Sequence, residues 1–234
     1  MGPGRVVRRH WGKLPSPRDR AGCVHDLTPA IRPLLVFRVG SERVLLDEVM
    51  PEYDVHEVHE LWVPAGPETA YEAVQAVTAR EVRLFGPLMG LRAIPARLRG
   101  RPRALNSGVP LLEQMLKGGL VDLGKEPGSE VVVGAIGRFW SPSGNLPVRT
   151  IRTRDDFTAF AQPGYSKAAM NFSVASQGDG SLVRTETRIV GTDPEGTRKF
   201  RRYWWLISWA SAAIRRSWLR AIQRRCQTAC TAPS

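Results

Sequence analysis

The sequence predicts an α+β fold, an antiparallel sheet wrapped around one long C-terminal helix. Three observations point there: a closing segment with the periodicity of a single amphipathic helix, a series of alternating segments before it, and glycine-rich turns between those segments. Across residues 198–225 the chain carries nine cations, no acid and four tryptophans. Trp204, Ile207, Ser211, Ile214, Trp218 and Ile222 recur at steps of three or four residues, one stripe of a helix with about 3.6 residues per turn. Arg202, Trp209, Arg216, Arg220 and Arg224 fall on the opposite side. A helix with one aromatic face needs a partner surface, and strands before it supply a sheet with a cavity between the two layers.

The elements follow in order. Residues 1–40 mix Arg, Pro and Gly without a sustained period, a composition that buries too little apolar surface to offset its ordering entropy. Residues 1–49 are therefore expected to be a basic, mostly disordered extension. Met50 precedes the first well-patterned segment, so a start codon placed too far upstream is an alternative reading; residues 34–49 could add a short hairpin about Gly40 and Ser41. Residues 55–63 read as a strand, and Gly66-Pro67 opens a helix to about Thr78 with Ala70, Tyr71, Val74 and Val77 on one face. A second helical stretch is interrupted by Gly86, Pro87, Gly90 and Pro95. Residues 91–105 contain five arginines and no acid, suited to an anion or, more simply, to a solvated loop. A short helix at 109–117 ends at Gly118 and Gly119.

Strands then come in series at 120–126, 130–140, a weaker 147–152, and 166–176, with a Pro127-Gly128 turn between the first two. Gln177-Gly178-Asp179-Gly180 turns the chain back into 181–191, because glycine tolerates the positive φ of tight hairpins. Asp193 followed by Pro194 is an N-cap with proline at the first helical position. The expected domain spans 50–226, with 227–234 as a disordered tail.

Composition bounds the function. The net charge of +12 sits at the two ends: +6 over residues 1–38, +9 over 198–225, and −3 between them. Arginine outnumbers lysine 29 to five amid much Gly, Ala and Pro, which a GC-rich coding bias produces without selection for nucleic acid. Cys23, Cys226 and Cys230 form no complete disulfide set, so a reduced cytoplasmic setting is expected. No signal-peptide pattern opens the chain. The longest weakly polar run, 203–214, has twelve residues where a membrane span needs about twenty.

The order strand, helices, strands, long helix gains detail from three strings: Val133-Gly134-Ala135-Ile136-Gly137-Arg138-Phe139-Trp140, Thr185-Glu186-Thr187-Arg188 and Phe200-Arg201-Arg202-Tyr203-Trp204. From about Met50 to Cys226 the chain resembles bacterial members of the START-like helix-grip superfamily (SRPBCC type), which includes polyketide cyclases, lipid-transfer domains and plant pollen allergens. The resemblance implies a curved antiparallel sheet gripping the terminal helix over a largely apolar pocket. It implies no single reaction, since the superfamily holds carriers, sensors and enzymes.

Two motifs are set aside on spacing. His56-Glu57-Val58-His59-Glu60 evokes a zinc protease, but its histidines are three apart on a strand, and odd spacing sends them to opposite faces. Gly119 to Lys125 evokes a phosphate loop, yet Glu126 replaces the Ser or Thr that would hold magnesium, and the glycines lead into a strand. No metal or cofactor is expected.

Alternation gives each strand an inner face: Val131, Val133, Ala135, Gly137 and Phe139; Ala168, Met170, Phe172 and Val174; Val183, Thr185, Thr187 and Ile189. These faces are apolar apart from two threonines. Glu186 and Arg188 fall on the other side, most simply an exposed ion pair. Groups left for polar recognition are His59, Arg138, Trp140, Tyr165, Asn171 and Arg215. The pocket candidates are His59, Val133, Phe139, Tyr165, Met170, Phe172, Thr185 and Thr187 from the sheet, with Trp204, Ile207, Ser211, Ile214 and Trp218 from the helix. Trp204 and Trp218 would bound the cavity at either end. Cys226 and Cys230 sit beyond the core, with no histidine near them in sequence to make a nucleophile.

The leading expectation is binding or transport of a hydrophobic small molecule, lipid or polyketide-like, with no specific nucleic-acid partner. A cyclase or hydratase in which His59, Tyr165 or Arg138 polarises a carbonyl is an alternative, the reading leaning away from an enzyme. Weak peripheral contact with anionic membrane, or nucleic-acid binding through the basic ends, is another.

Overall fold

A computed structural model describes residues 44–86, 108–141, 148 and 150–231. The hairpin expected at Gly40 and Ser41, the arginine-rich 91–105, and most of the weak strand at 147–152 lie outside these residues. Five strands, β1 (Val55–Val63), β2 (Val121–Glu126), β3 (Glu130–Gly137), β4 (Ser166–Gln177) and β5 (Gly180–Gly191), form one antiparallel sheet in the order β1-β5-β4-β3-β2. Among the described residues five helices accompany them: α1 (Leu45–Val49), α2 (Pro67–Ala76), α3 (Leu111–Lys117), α4 (Arg154–Ala159) and α5 (Pro194–Thr231). The α+β architecture expected from the sequence, an antiparallel sheet closed by a long C-terminal helix, is the one observed.

Strand alternation divides the core. The inner face carries Val131, Val133, Met170, Phe172, Val174 and Val183, packed against Val74 of α2, Leu111 of α3, and Trp218 and Ile222 of α5. The outer face carries Val121, Leu123, Val132 and Ile136, packed against Leu46 of α1 and Phe157 of α4. The β4–β5 turn places Gly178 at φ 65°, the positive value its glycine was expected to supply. At Gly134 a side chain would fail for want of space, since a Cβ there would stand 2.4 Å from Leu123 Cδ1.

Helix α5 opens as expected: Asp193 Oδ1 accepts from the Gly196 N–H at 2.6 Å, and Pro194 begins the helix. Arg202, Trp209, Arg216, Arg220 and Arg224 are exposed, as the stripe analysis requires. The helix continues through Thr231, past the expected boundary at Cys226, and Cys226 is buried in the inner core instead of lying beyond it. Arg225 Nε and Nη2 reach the Glu81 carboxylate at 2.7 and 2.9 Å, fastening the C-terminal end.

The outer face corrects the sequence reading. Glu186 and Arg188 are not an exposed pair but 2% and 6% exposed: Asp47 of α1, which precedes the domain start expected at Met50, lies against Arg188 together with the Met50 carbonyl and the Tyr53 ring. Glu186 Oε1 lies 2.7 Å from His56 Nε2 and 2.6 Å from Arg188 Nε, and its Oε2 lies 2.7 Å from Arg184 Nη2. Arg188 in turn donates to the Met50 carbonyl and to Asp47 Oδ1. Beside them Glu130 accepts from Asn171 Nδ2 and from the Leu45 N–H, so a strand carboxylate caps α1. Helix α4 has no counterpart among the expected elements. Thr153 and Asp156 form a reciprocal capping box, and its Phe157 is fully buried.

Burial alone would raise the Glu186 carboxyl, but bonds from His56, Arg188 and Arg184 outweigh it and hold the pKa at about 2. A folded-state value below the unfolded one contributes stability above the unfolded pKa, lost as pH falls through the folded one. E186Q is therefore expected to cost about 3 kcal/mol at neutral pH, since it leaves the buried Arg188 with only the more exposed Asp47 as a charged partner. Denaturant titration across pH checks this: the gap between wild type and variant narrows from about pH 4.5 toward pH 2, and a pH-independent gap would contradict it.

Candidate functional site

On the inner face the register aligns residues from four strands. One rung runs Glu57, Thr187, Met170, Val133; the next runs His59, Thr185, Phe172, Val131. Six sequence candidates, His59, Val133, Met170, Phe172, Thr185 and Thr187, therefore occupy two adjacent rungs. The Thr185 hydroxyl donates to the Asn171 carbonyl, so the ladder beside it absorbs that polar group.

Helix α5 crosses these rungs. Ser211 Oγ donates to Glu57 Oε2 at 2.8 Å, the Arg215 guanidinium meets Met170 Sδ, and Trp218 packs on Phe172 with ring centroids 4.7 Å apart. Farther toward its N-terminus, buried Phe200 gathers Phe139 at 6.1 Å and Trp204 at 5.9 Å. Between these two aromatic anchors the inward stripe is not closed. Trp218 and Ile222 are 1% and 0% exposed, whereas Trp204, Ile207, Ser211 and Ile214 on the same stripe are only half-buried.

Glu57 is the residue that sequence reasoning missed. Its Oε1 lies 2.9 Å from His59 Nε2 while its Oε2 takes Ser211, so a carboxylate, an imidazole and a hydroxyl converge inside the grip. Alternation from His59 puts Glu57 on the inner face; its place inside the discarded metal motif concealed that. His56 points the other way, to Glu186, so the two histidines occupy opposite faces as their spacing requires. Desolvation pulls the Arg215 pKa down to about 10, against the opposing pull of Glu57, and at neutral pH the guanidinium remains charged.

Tyr165 is displaced from the candidate set. Its position shares the outer parity of β4, and it packs among outer-face residues, 5.3 Å from Phe160 and with the Arg138 guanidinium 4.6 Å above its ring. Arg138 donates to the Gly164 carbonyl. The trio His59, Tyr165 and Arg138 is thus split between two faces and offers no shared point where a carbonyl could sit. Asn171 is likewise an outer-face residue, bonded to Glu130 and Glu186.

A cleft of about 480 Å³ opens on the other flank of the inner face, between α2, α3 and the β2–β3 edge. Val131, Val133, Leu112 and Leu116 floor it, and Glu72, Glu113, Asp122 and Lys125 rim it. This cleft does not include Glu57 or Arg215. The two regions adjoin through Val133, the register partner of Met170, which Arg215 touches. Gly119, with φ 107°, turns the chain into β2, and Lys125 pairs with Asp122 at 3.2 Å, so the glycines of the rejected phosphate motif lead into a strand. No helix among the described residues is long and apolar enough to cross a membrane.

No family model matches the chain, and no curated protein sequence matches it. Similar solved structures include TTHA0849 from Thermus thermophilus, at 16% identity over 75% of this chain and 99% of that one, with a TM-score of 0.28. CalU16 from Micromonospora echinospora is 12% identical over 74% and 84%, with a TM-score of 0.26. Ara h 8.0201 is 11% identical over 74% and 98%, with a TM-score of 0.25. Likenesses this slight carry no argument, and the fold stands on its own strand order and register.

The two regions of the helix stripe respond differently to truncation. F172A, under the buried Trp218, is expected to cost about 3–5 kcal/mol, and I207A, in the half-buried stretch, about 1 kcal/mol. Equal losses in chemical denaturation would show the helix to be packed alike throughout.

Proposed function

We propose that the chain binds a hydrophobic small molecule, lipid-like or polyketide-like, between the inner face of the sheet and the middle of α5. One observation carries the reading: an inward-facing stripe that is buried at Phe200 and Trp218 yet only half-buried from Trp204 to Ile214. Apolar side chains facing a sheet but only partly buried forgo about 25 cal/mol for each Å² not buried. An apolar ligand recovers that energy, and pockets of this kind hold about 300–1,000 Å³. Binding is favoured over the cyclase reading because His59, Tyr165 and Arg138 do not converge.

Native mass spectrometry before and after organic extraction tests the proposal, together with titration of the neutral fluorophore N-phenyl-1-naphthylamine. The expected result is an extractable mass or saturable probe binding that S211W, which fills the space, weakens at least about tenfold. Absence of both mass and probe binding contradicts the reading.

A second reading concerns the opposite side of α5. Trp205, Leu206 and Trp209 are 74%, 62% and 64% exposed, and exposed Arg201 and Arg202 lie beside them. Indole rings flanked by cations suit the interface of an anionic bilayer, where they anchor at headgroup depth. Co-sedimentation with phosphatidylglycerol-containing vesicles is expected to fall with added salt and with the W205A/W209A double substitution. Equal sedimentation with neutral phosphatidylcholine vesicles, or no effect of the double substitution, would refute it.

A further inference from the structure

We propose that Arg215 receives the head group of the ligand, and that the ligand is an amphipathic monocarboxylic acid whose apolar body lies along Ile207, Ile214 and Met170. The inference rests on the ligand-binding reading above and adds the chemistry of the bound end.

The geometry sets Arg215 apart from the other arginines at the sheet. Arg188 has Glu186, Asp47 and the Met50 carbonyl; Arg184 has Glu60 and Glu186; Arg225 has Glu81. Arg215, half-buried against the inner face, meets only the thioether of Met170, a weak acceptor. Among the described residues its guanidinium makes no hydrogen bond to an oxygen. Glu57 does not fill the gap: its oxygens bond His59 and Ser211, and neither is hydrogen-bonded to the guanidinium. A charged fork of N–H donors taken largely out of water is costly until an acceptor arrives.

The acceptor that fits is planar and singly charged. A carboxylate takes two parallel N–H bonds from a guanidinium, which a hydroxyl or ester carbonyl cannot match. Glu57, close enough to raise the Arg215 pKa, repels added negative charge and so disfavours a phosphate dianion. Trp218 closes the deep side and the half-buried Trp204 stands toward the open one, so the acid enters head first and leaves its chain on the apolar stripe.

Displacement of N-phenyl-1-naphthylamine from the full chain by dodecanoate, methyl dodecanoate and dodecyl phosphate tests this. Dodecanoate is expected to bind about 10- to 100-fold more tightly than its methyl ester, and more tightly than the phosphate. R215M is expected to abolish the preference for the acid over its methyl ester. R215K, which keeps the charge without the fork, retains part of the preference. The wild-type comparison decides even where a variant does not fold. Equal binding of acid and ester, tightest binding of the phosphate, or an undiminished preference in R215M overturns the inference and leaves the ligand-binding reading standing. Failure of the neutral probe and all three amphiphiles to bind overturns both.

Discussion

Unbroken pairing of β1, β5 and β4 is the constraint on which the rest depends. From Val55 to Val63, β1 stays in register with β5, and β5 stays in register with β4 along its length. A slip of one residue would exchange the faces, sending Glu57 and His59 outward and the Glu186 carboxylate under the helix. With the register held, the sheet has two different sides: one charged and sealed by α1, the other apolar with a few polar groups beneath α5. The irregularity between Asp122 and Gly124 lies in β2 at the edge, where it leaves these rungs intact.

The two sides treat charge in opposite ways. Outside, each buried charge has its partner: Glu186 holds three cationic or imidazole groups, and Arg188 spends its donors on Glu186, Asp47 and the Met50 carbonyl. Such a network fixes α1 against the sheet and leaves nothing for a ligand. Inside, Glu57 is satisfied and Arg215 is not, and the helix stripe above them is incompletely buried. Unspent donors and unburied apolar area in one place are the physical basis for assigning recognition to the inner side. The aromatic groups at Phe200 and Trp218 hold the helix on either side of this stretch.

Much of this is legible in the sequence, for identifiable reasons. Strand alternation names the inner faces of β3, β4 and β5, and the helical period names both sides of α5, because each pattern repeats over enough residues to fix a face. Features that depend on what covers a face are not legible. Alternation puts Glu186 and Arg188 on the correct side, but the segment from Asp47 to Tyr53, which lies against Arg188, is what buries it. Tyr165 stands among the expected pocket residues although its parity in β4 puts it outside, and Cys226, expected to be remote, is carried into the core by α5. Glu57 is within reach of the alternation rule, but the metal-like spacing around it draws attention to the histidines instead. The capping box at Thr153 and Asp156 is a local signal sufficient to start α4, yet too short to stand out against the loops around it.

The central claim is that α5 is anchored at both ends and stands over ligand space between them. Amide hydrogen exchange along α5, with and without a saturating apolar ligand, tests it most directly, because local opening is easier where side chains lack packing. Residues 204–214 are expected to exchange faster than residues 217–226 in the free protein and to slow selectively when ligand binds. Uniform protection along the helix, unchanged by ligand, would contradict the claim.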